Sequence, residues 1–376
     1  MNILVTQINN LGDAVAFLPT LKGLVDFFPE ARISVVCTPM GEKVFSGISA
    51  RVNFYPVDKK KVCSLKRVSV VPALLKTAQS LKHEYFAFSL HSFEGPSFAY
   101  LVAALLRIPR RIGYDSHMSK AQGFLTEKIP FEISRNVVEI NYDLIRQVTG
   151  NWHSFPARVP IPYTSQDFAR VLARLSQAGL GEGAPFVAIH PGARFKYQQW
   201  GLNNYSELFD QLKRSMDLPI LFLGENNYQI NAPVINGLSI KELACLLEKA
   251  AIFIGNNSGP MHIAAAVGTP CVIIQGPSAV NWEIFWQDIP HRIIKANLHC
   301  RPCEKFDSKG ECLHKENIYA CMRGISVELV KNVVLDLKRD LGEGALFMPG
   351  RNSPGTAGPS GPRNFFKSAS RDPMSG

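Results

Sequence analysis

Two short stretches of this sequence carry residue types suited to chemistry on an anionic ligand. The first is Asn257-Ser258-Gly259-Pro260-Met261-His262, set between an apolar run from Phe253 and an Ala-rich run. A strand that ends in such a turn and re-enters a helix aims backbone N–H groups out of the turn. The helix dipole adds attraction for negative charge, so a phosphate is the expected ligand. The Ser258 hydroxyl can donate to that ligand or merely cap the helix. His262 can touch phosphate or sugar, or serve as a structural helix residue. The second stretch is Asn9-Asn10-Leu11-Gly12-Asp13, a turn after the first apolar run. A carboxylate there can take a proton from a hydroxyl during group transfer. The same position suits a helix cap before Ala14, and a helix N-terminus lowers the pKa of Asp13. Gly12 would let backbone approach a ligand, or is a plain turn glycine.

Further candidates are cations, one acid and a thiol cluster. Arg194 and Lys196 follow the turn His190-Pro191-Gly192-Ala193 and could neutralise a departing diphosphate, or stand as exposed loop cations. Glu225 follows an apolar run and could accept from ribose hydroxyls, or be a surface carboxylate. Cys300, Cys303, Cys312 and Cys321 follow a Cys-x2-Cys-x8-Cys-x8-Cys pattern with His299 and His314 nearby. Four thiolates could hold zinc or iron tetrahedrally as a structural clip with no open position. The alternative is four reduced, unliganded cysteines, since disulfides are disfavoured in a reducing compartment.

These residues need α/β elements to position them. Residues 2–8 predict a strand, 14–28 a helix ended by Pro29, and 33–37 a second strand, which implies parallel pairing with right-handed crossovers. A strand at 85–90 precedes His91, a core helix spans about 98–108, and a further helix covers 135–149. Phe155 to Pro162 holds three prolines and reads as an extended connector. The pattern then restarts, with strands at 186–190 and 219–223 and helices at 203–216 and 240–249. Phe253 to Gly276 is one strand–turn–helix–strand unit. A helix at 327–341 closes the second half. The expected division is 1–160 and 161–341, with a Gly/Pro/Ser-rich tail at 342–376 read as disordered.

The chain has 376 residues, is 46% hydrophobic and 19% charged, and carries a formal net charge of +10. That suffices for two cores, and the charge favours anionic partners without choosing among them. Met1-Asn2-Ile3-Leu4-Val5 enters a strand directly, without the basic start of a secretory signal, and no run reaches membrane-span length. A cytoplasmic location is expected, with peripheral membrane contact open through the basic run 58–67. Only Gly12 lies in the first turn, so a dinucleotide fingerprint is excluded. Nucleic-acid binding is disfavoured because basic and aromatic residues do not interleave on one strand face.

Four motifs in order, LGDAVAFLPTLKGL (11–24), PRRIGY (109–114), IHPGARFKYQQW (189–200) and GNNSGPMHIAAAVGTP (255–270), resemble the bacterial heptosyltransferase family of glycosyltransferases. The resemblance covers roughly residues 1–340. It implies the GT-B fold, two facing Rossmann-like domains with a cleft between them. The first domain is then the acceptor side, with Gly12, and the second the nucleotide-sugar side. It implies an inverting, metal-independent transfer of a heptose-type sugar from an ADP-sugar to an anionic lipid-linked glycan of the lipopolysaccharide core, with no catalytic cofactor. Asp13 matches the catalytic carboxylate of that family and Lys196 its diphosphate-binding lysine. Arg194, Glu225, Asn257, Ser258, Gly259, Pro260, Met261 and His262 fall on the donor side. The cysteine segment at 299–322 matches a place where some relatives carry a metal. Asn257 departs from the family pattern, which has Asp there, and Thr6-Gln7 replace an Arg often seen before the first turn. Other readings consistent with the residues are a nucleotide-sugar epimerase of similar shape and a non-catalytic nucleotide or nucleic-acid binder.

Overall fold

The computed structural model describes residues 1–62, 70–93, 97–115, 121–132, 134–224, 228, 230–303, 312 and 317–346. In the first half, strands β1 (Asn2–Gln7), β2 (Arg32–Cys37), β3 (Val52–Pro56), β4 (Phe86–His91), β5 (Arg110–Asp115) and β6 (Glu127–Pro130) alternate with helices. These helices are α1 (Leu11–Phe27), α2 (Pro39–Phe45), α3 (Lys59–Val62), α4 (Val70–Leu81), α5 (Ser97–Leu105) and α6 (Val137–Thr149). The second half repeats the scheme with β7 (Val187–His190), β8 (Ile220–Gly224), β9 (Val234–Asn236), β10 (Ile252–Asn256), β11 (Cys271–Gln275) and β12 (His291–Lys295). Its helices are α7 (Ser165–Gln177), α8 (Leu202–Ser215), α9 (Ile240–Lys249), α10 (Gly259–Val267), α11 (Ala320–Arg323) and α12 (Val327–Leu346). Residues 342–346, expected in the tail, belong to α12 beyond a kink at Gly342, which corrects that boundary; from 347 onward the tail lies outside the described residues.

Each half is a six-stranded sheet, ordered β3-β2-β1-β4-β5-β6 and β12-β11-β10-β7-β8-β9. Pairing is parallel throughout. Counting strands within each half gives the same doubly wound order twice. The sequence dictates this through unbroken apolar runs such as Ile3-Leu4-Val5 and Ile252-Phe253-Ile254, whose residues are fully buried. Such runs suit strands covered by helices on both faces. In an open sheet of this order the crevice for a ligand lies where the winding reverses, beyond the strand ends. The reversal falls between β1 and β4 in the first sheet and between β7 and β10 in the second. The two chemistry-bearing turns, after β1 and after β10, therefore sit at two switch points.

The halves are joined by small-residue contact as well as by the connector. At Gly12 in α1 an added Cβ would lie 2.9 Å from Cδ2 of His262, and at Gly259 in α10 it would lie 2.8 Å from Cδ2 of Leu11. Each glycine thus admits a side chain from the other half's helix start. One apolar cluster runs across both halves and includes Ala14, Phe17, Met261 and Ile263. Lys241 Nζ donates to the carbonyl of Ser46 (3.0 Å) and Asn136 Nδ2 to that of Glu283 (2.9 Å).

Candidate active site between the two sheets

A cleft of about 1600 Å³ opens between the switch points, lined from the first half by Asn10 to Asp13 and Lys59, and from the second by 190–195, 257–260, His262 and 278–282. It brings together most of the residues singled out in the sequence. Asp13, Gly12, Arg194, Asn257, Ser258, Gly259, Pro260 and His262 all line it. Met261 contributes backbone to the first turn of α10, while its side chain is fully buried in the core. Lys196 opens a one-turn helix, Lys196–Gln198, and its side chain is exposed. Glu225 lies outside the described residues. At the end of β8 the wall is formed by Gly224 and Tyr228.

The turn expected at 9–13 is shorter than its composition implies. Helix α1 starts at Leu11, with Asn10 as N-cap in extended backbone. Asp13 is the third helical residue, and its Oδ2 accepts from the Asn10 N–H (2.9 Å). A carboxylate three residues past the cap reaches back to an orphan N–H, which moves the helix start forward. The expected lowering of its pKa is also corrected. Burial raises the Asp13 pKa above its ordinary value of 3.8, outweighing the Lys59 charge, the backbone N–H bonds and Arg194, which all pull down. Burial dominates because desolvation penalises the charged form more than a helix end rewards it here. Asp13 is 6% exposed, so it is a nearly dry carboxylate on a cleft wall.

Lys59 is the cation nearest in influence to Asp13, and its Nζ also donates to Asn10 Oδ1 (3.2 Å). Sequence reasoning placed it in an undifferentiated basic run. Only the packing of α3 beside the β1–α1 turn singles it out. Arg194 acts on Asp13 from the opposite half, and its guanidinium lies 4.9 Å from the Phe195 ring.

The turn after β10 is held by a buried amide that the sequence does not single out. Asn256 Oδ1 accepts from the Trp200 N–H and the Tyr205 hydroxyl (both 3.1 Å), and its Nδ2 donates to the Pro191 carbonyl (2.8 Å). Its place beside Asn257 in the motif was the one available signal. Asn257 N–H donates to the Ile274 carbonyl (3.1 Å), and its side chain donates to the carbonyl of Trp282 (3.3 Å). Ser258 is the N-cap of α10 without a side-chain cap bond, and it lines the cleft with Gly259 and Pro260; Pro260 has no N–H and that of Met261 donates to the Ser258 carbonyl (3.0 Å). The His262 ring packs edge-on to Trp282 at 6.1 Å, and burial drops its pKa to about 4. His190 is likewise pushed to about 4 by burial. Both are neutral at pH 7, so neither supplies charge to an anion. The positive character of the site comes from Lys59, Arg194 and the α10 N-terminus.

Arg301 and Met322, from the two described ends of the cysteine segment, meet the loop that follows β11. Arg301 donates to the Ala296 carbonyl (2.9 Å) and to the Gly276 carbonyl, and Met322 packs on Gly276. The Cys321 thiol is pushed up to about 11, by burial first and then by the neighbouring Cys303, Cys312 and Cys300. The four thiols are thus close enough to influence one another's charge. Among the described residues no group of three or more His, Cys, Asp or Glu stands at metal-holding distance, and none of the described cysteines is in a disulfide.

Two doubly wound sheets with switch points facing across a cleft, a dry carboxylate on one side and a helix N-terminus on the other, define the GT-B class of glycosyltransferase. Residues 74–314 match glycosyltransferase family 9 (heptosyltransferase), and the chain belongs to that family. It is 24% identical over 304 residues to lipopolysaccharide heptosyltransferase 3 of Escherichia coli, covering 76% of this chain and 85% of that one. The fold matches the family 9 glycosyltransferase of Veillonella parvula with a TM-score of 0.71 and 17% identity, covering 89% of this chain and 96% of that one. It also matches the iron-containing dodecameric glycosyltransferase TibC of enterotoxigenic Escherichia coli, with a TM-score of 0.57 and 16% identity over 92% of this chain and 78% of that one. TibC has also been solved in complex with ADP-D-beta-D-heptose.

Proposed function

We propose that the enzyme transfers a heptose-type sugar, with inversion, from an ADP-sugar to a lipid-linked glycan of the lipopolysaccharide core. The observation that carries this is that Asp13 and the N-terminus of α10 line one cleft. In this reading Asp13 accepts the proton of the acceptor hydroxyl as its oxygen attacks the anomeric carbon. The bond from that carbon to the diphosphate breaks on the far side, and ADP leaves with the electron pair. A carboxylate with a raised pKa is a stronger base than an exposed one. The Gly259 N–H with the α10 dipole, Ser258 and Arg194 offset the charge on the departing diphosphate. The first half then holds the acceptor and the second the donor. The names of the relatives support heptose and ADP, and Asn257 is compatible with both.

The acceptor places the enzyme at the cytoplasmic face of the inner membrane in this proposal. Among the described residues no helix is long and apolar enough to cross a membrane. Surface contact has candidates in Lys60 and Lys61 and in Val71 and Leu75 of the adjacent α4, which are 52% and 58% exposed. Cys300, Cys303, Cys312 and Cys321 have the chemistry to hold iron or zinc. A metal there would tie the segment to the Gly276 loop and so stiffen the cleft wall, with no part in sugar transfer.

Thermal-shift titration with ADP-heptose, UDP-sugars and GDP-sugars tests the donor. A ligand that binds only the folded state adds about 2.7 kcal/mol of apparent stability at a hundredfold excess over Kd. ADP-heptose is expected to raise Tm well beyond the UDP and GDP compounds. Equal shifts with all three nucleotides would defeat the proposal.

A further inference from the structure

Asn281 is alone among the described residues in having both polar side-chain atoms buried without a hydrogen-bond partner. It is 1% exposed, yet it lines the cleft, within the one-turn helix Val280–Trp282. Buried amides in native proteins are paired as a rule, so an unpaired one calls for a cause. The hydrogen bonds of this loop do not reach it, and Gln275 Oε1 is likewise buried without a partner. Gln275 Nε2 donates to the Ser278 carbonyl and to Glu283 Oε1 (both 3.0 Å), which closes the loop on itself. Asn257 takes the Trp282 carbonyl, and Asn136 takes that of Glu283. The Trp282 ring packs 6.1 Å from both His262 and Phe93. The loop is therefore fixed from both halves while the Asn281 amide is left unused. With no hydrogen bond to fix it, its terminal torsion is soft and can turn the amide to the cleft.

We propose that Asn281 reads a pair of hydroxyls on the sugar of the donor. This rests on the reading of the cleft as a nucleotide-sugar site. A primary amide sets an acceptor beside a donor. Neighbouring sugar hydroxyls satisfy both, one donating to Oδ1 and the other accepting from Nδ2. A diphosphate only accepts and would leave Oδ1 unpaired, so the amide suits the sugar and the α10 N-terminus suits the phosphates. The loop also shares a wall with the donor-side turn through the Asn257–Trp282 bond.

The test uses the full chain with Asn281→Leu and Asn281→Asp, measuring unliganded Tm, titration of ADP and ADP-heptose, and donor and acceptor KM. Replacing an unpaired amide by an apolar side chain of similar size removes no protein hydrogen bond, so the Asn281→Leu Tm should equal or exceed that of the wild type. In Asn281→Leu, ADP affinity should stay within about twofold while Kd and KM for ADP-heptose rise about tenfold or more; in Asn281→Asp the added charge weakens both, and ADP-heptose should lose more than ADP. Unchanged ADP-heptose affinity in either folded variant overturns the proposal, as does an equal loss for ADP and ADP-heptose or a rise in acceptor KM alone. Wild-type protein that binds no ADP-heptose defeats the site reading, and the proposal with it. Wild-type binding with an indifferent Asn281→Leu defeats the proposal alone.

Discussion

Asp13 combines two duties that its residue type left as alternatives. It completes the start of α1 through the Asn10 N–H, and it faces the cleft as a dry carboxylate. Burial raises its pKa, so the base form fills at higher pH than for an ordinary Asp. The acid limb of kcat/KM should therefore lie above the usual carboxylate range. Lys59→Met removes the largest charge holding that pKa down and should move the limb to still higher pH in a pH–rate profile. A limb that stays in place would contradict this coupling. The linkage sign follows from the same shift. A carboxyl raised in the folded state favours folding at low pH and opposes it as pH rises through its folded pKa. Asp13→Asn should thus leave Tm at pH 7 no lower than in the wild type. Asn257 is explained at this scale too. Its amide donates to Trp282 O, which a carboxylate cannot do. Asn257→Asp should raise donor KM several-fold, by freeing the 280–282 loop and placing a negative charge near the diphosphate. The types of these residues were legible in the sequence. The pKa of Asp13 was not, because burial is decided by packing from the second half, which no local pattern encodes.

At the scale of elements, the repeated strand–helix rhythm was readable because parallel strands buried on both faces are written as apolar runs. Residues 2–8, 33–37, 186–190 and 240–249 match β1, β2, β7 and α9 closely. The short strands β3, β5, β6, β9 and β12 have no strand expectation in the sequence. They lie at or beside sheet edges, are partly exposed, and carry too few apolar residues to make a period. The mutual fit of α1 and α10 was also hidden. Gly12 and Gly259 each read as turn glycines, and only the structure shows that each makes room for a side chain of the other helix. Gly12→Ala sets a methyl 2.9 Å from the His262 ring. The ring can turn aside, so the cost should fall on the cleft more than on folding, at about 1–3 kcal/mol of stability. Transfer activity is expected to fall by an order of magnitude or more while circular dichroism at 25 °C is preserved. A variant as active as the wild type would show that His262 need not sit over Gly12.

The whole molecule is two copies of one winding order, turned so that their switch points share a cleft. That architecture follows from the motifs by family resemblance, while the contacts that hold the halves together do not. Its acid response can be read from the core. His91, at the end of β4, is fully buried between Thr6 Oγ1 (2.8 Å) and Ser89 Oγ (3.0 Å), with Tyr100 packed edge-on. Burial, with help from Arg111, lowers its pKa from 6.5 to about 3. Between those values the unfolded chain takes up a proton that the folded chain refuses, so stability falls with pH by about 1.4 kcal/mol per unit. Urea unfolding at pH 6.5 and 5 should show this drop, reduced by about 2 kcal/mol in His91→Asn. An unchanged pH slope in the variant would assign the loss to other groups.

In the proposed reaction one carboxylate, Asp13, serves as the base of sugar transfer. The direct measurement is single-turnover transfer from ADP-heptose to a core acceptor by wild type and Asp13→Asn, with ADP-heptose affinity determined on the same samples. A general base contributes about 10² to 10⁴ in rate. The expected result is a loss of that size in transfer, with donor Kd unchanged within a few-fold. Transfer by Asp13→Asn at the wild-type rate would contradict the claim.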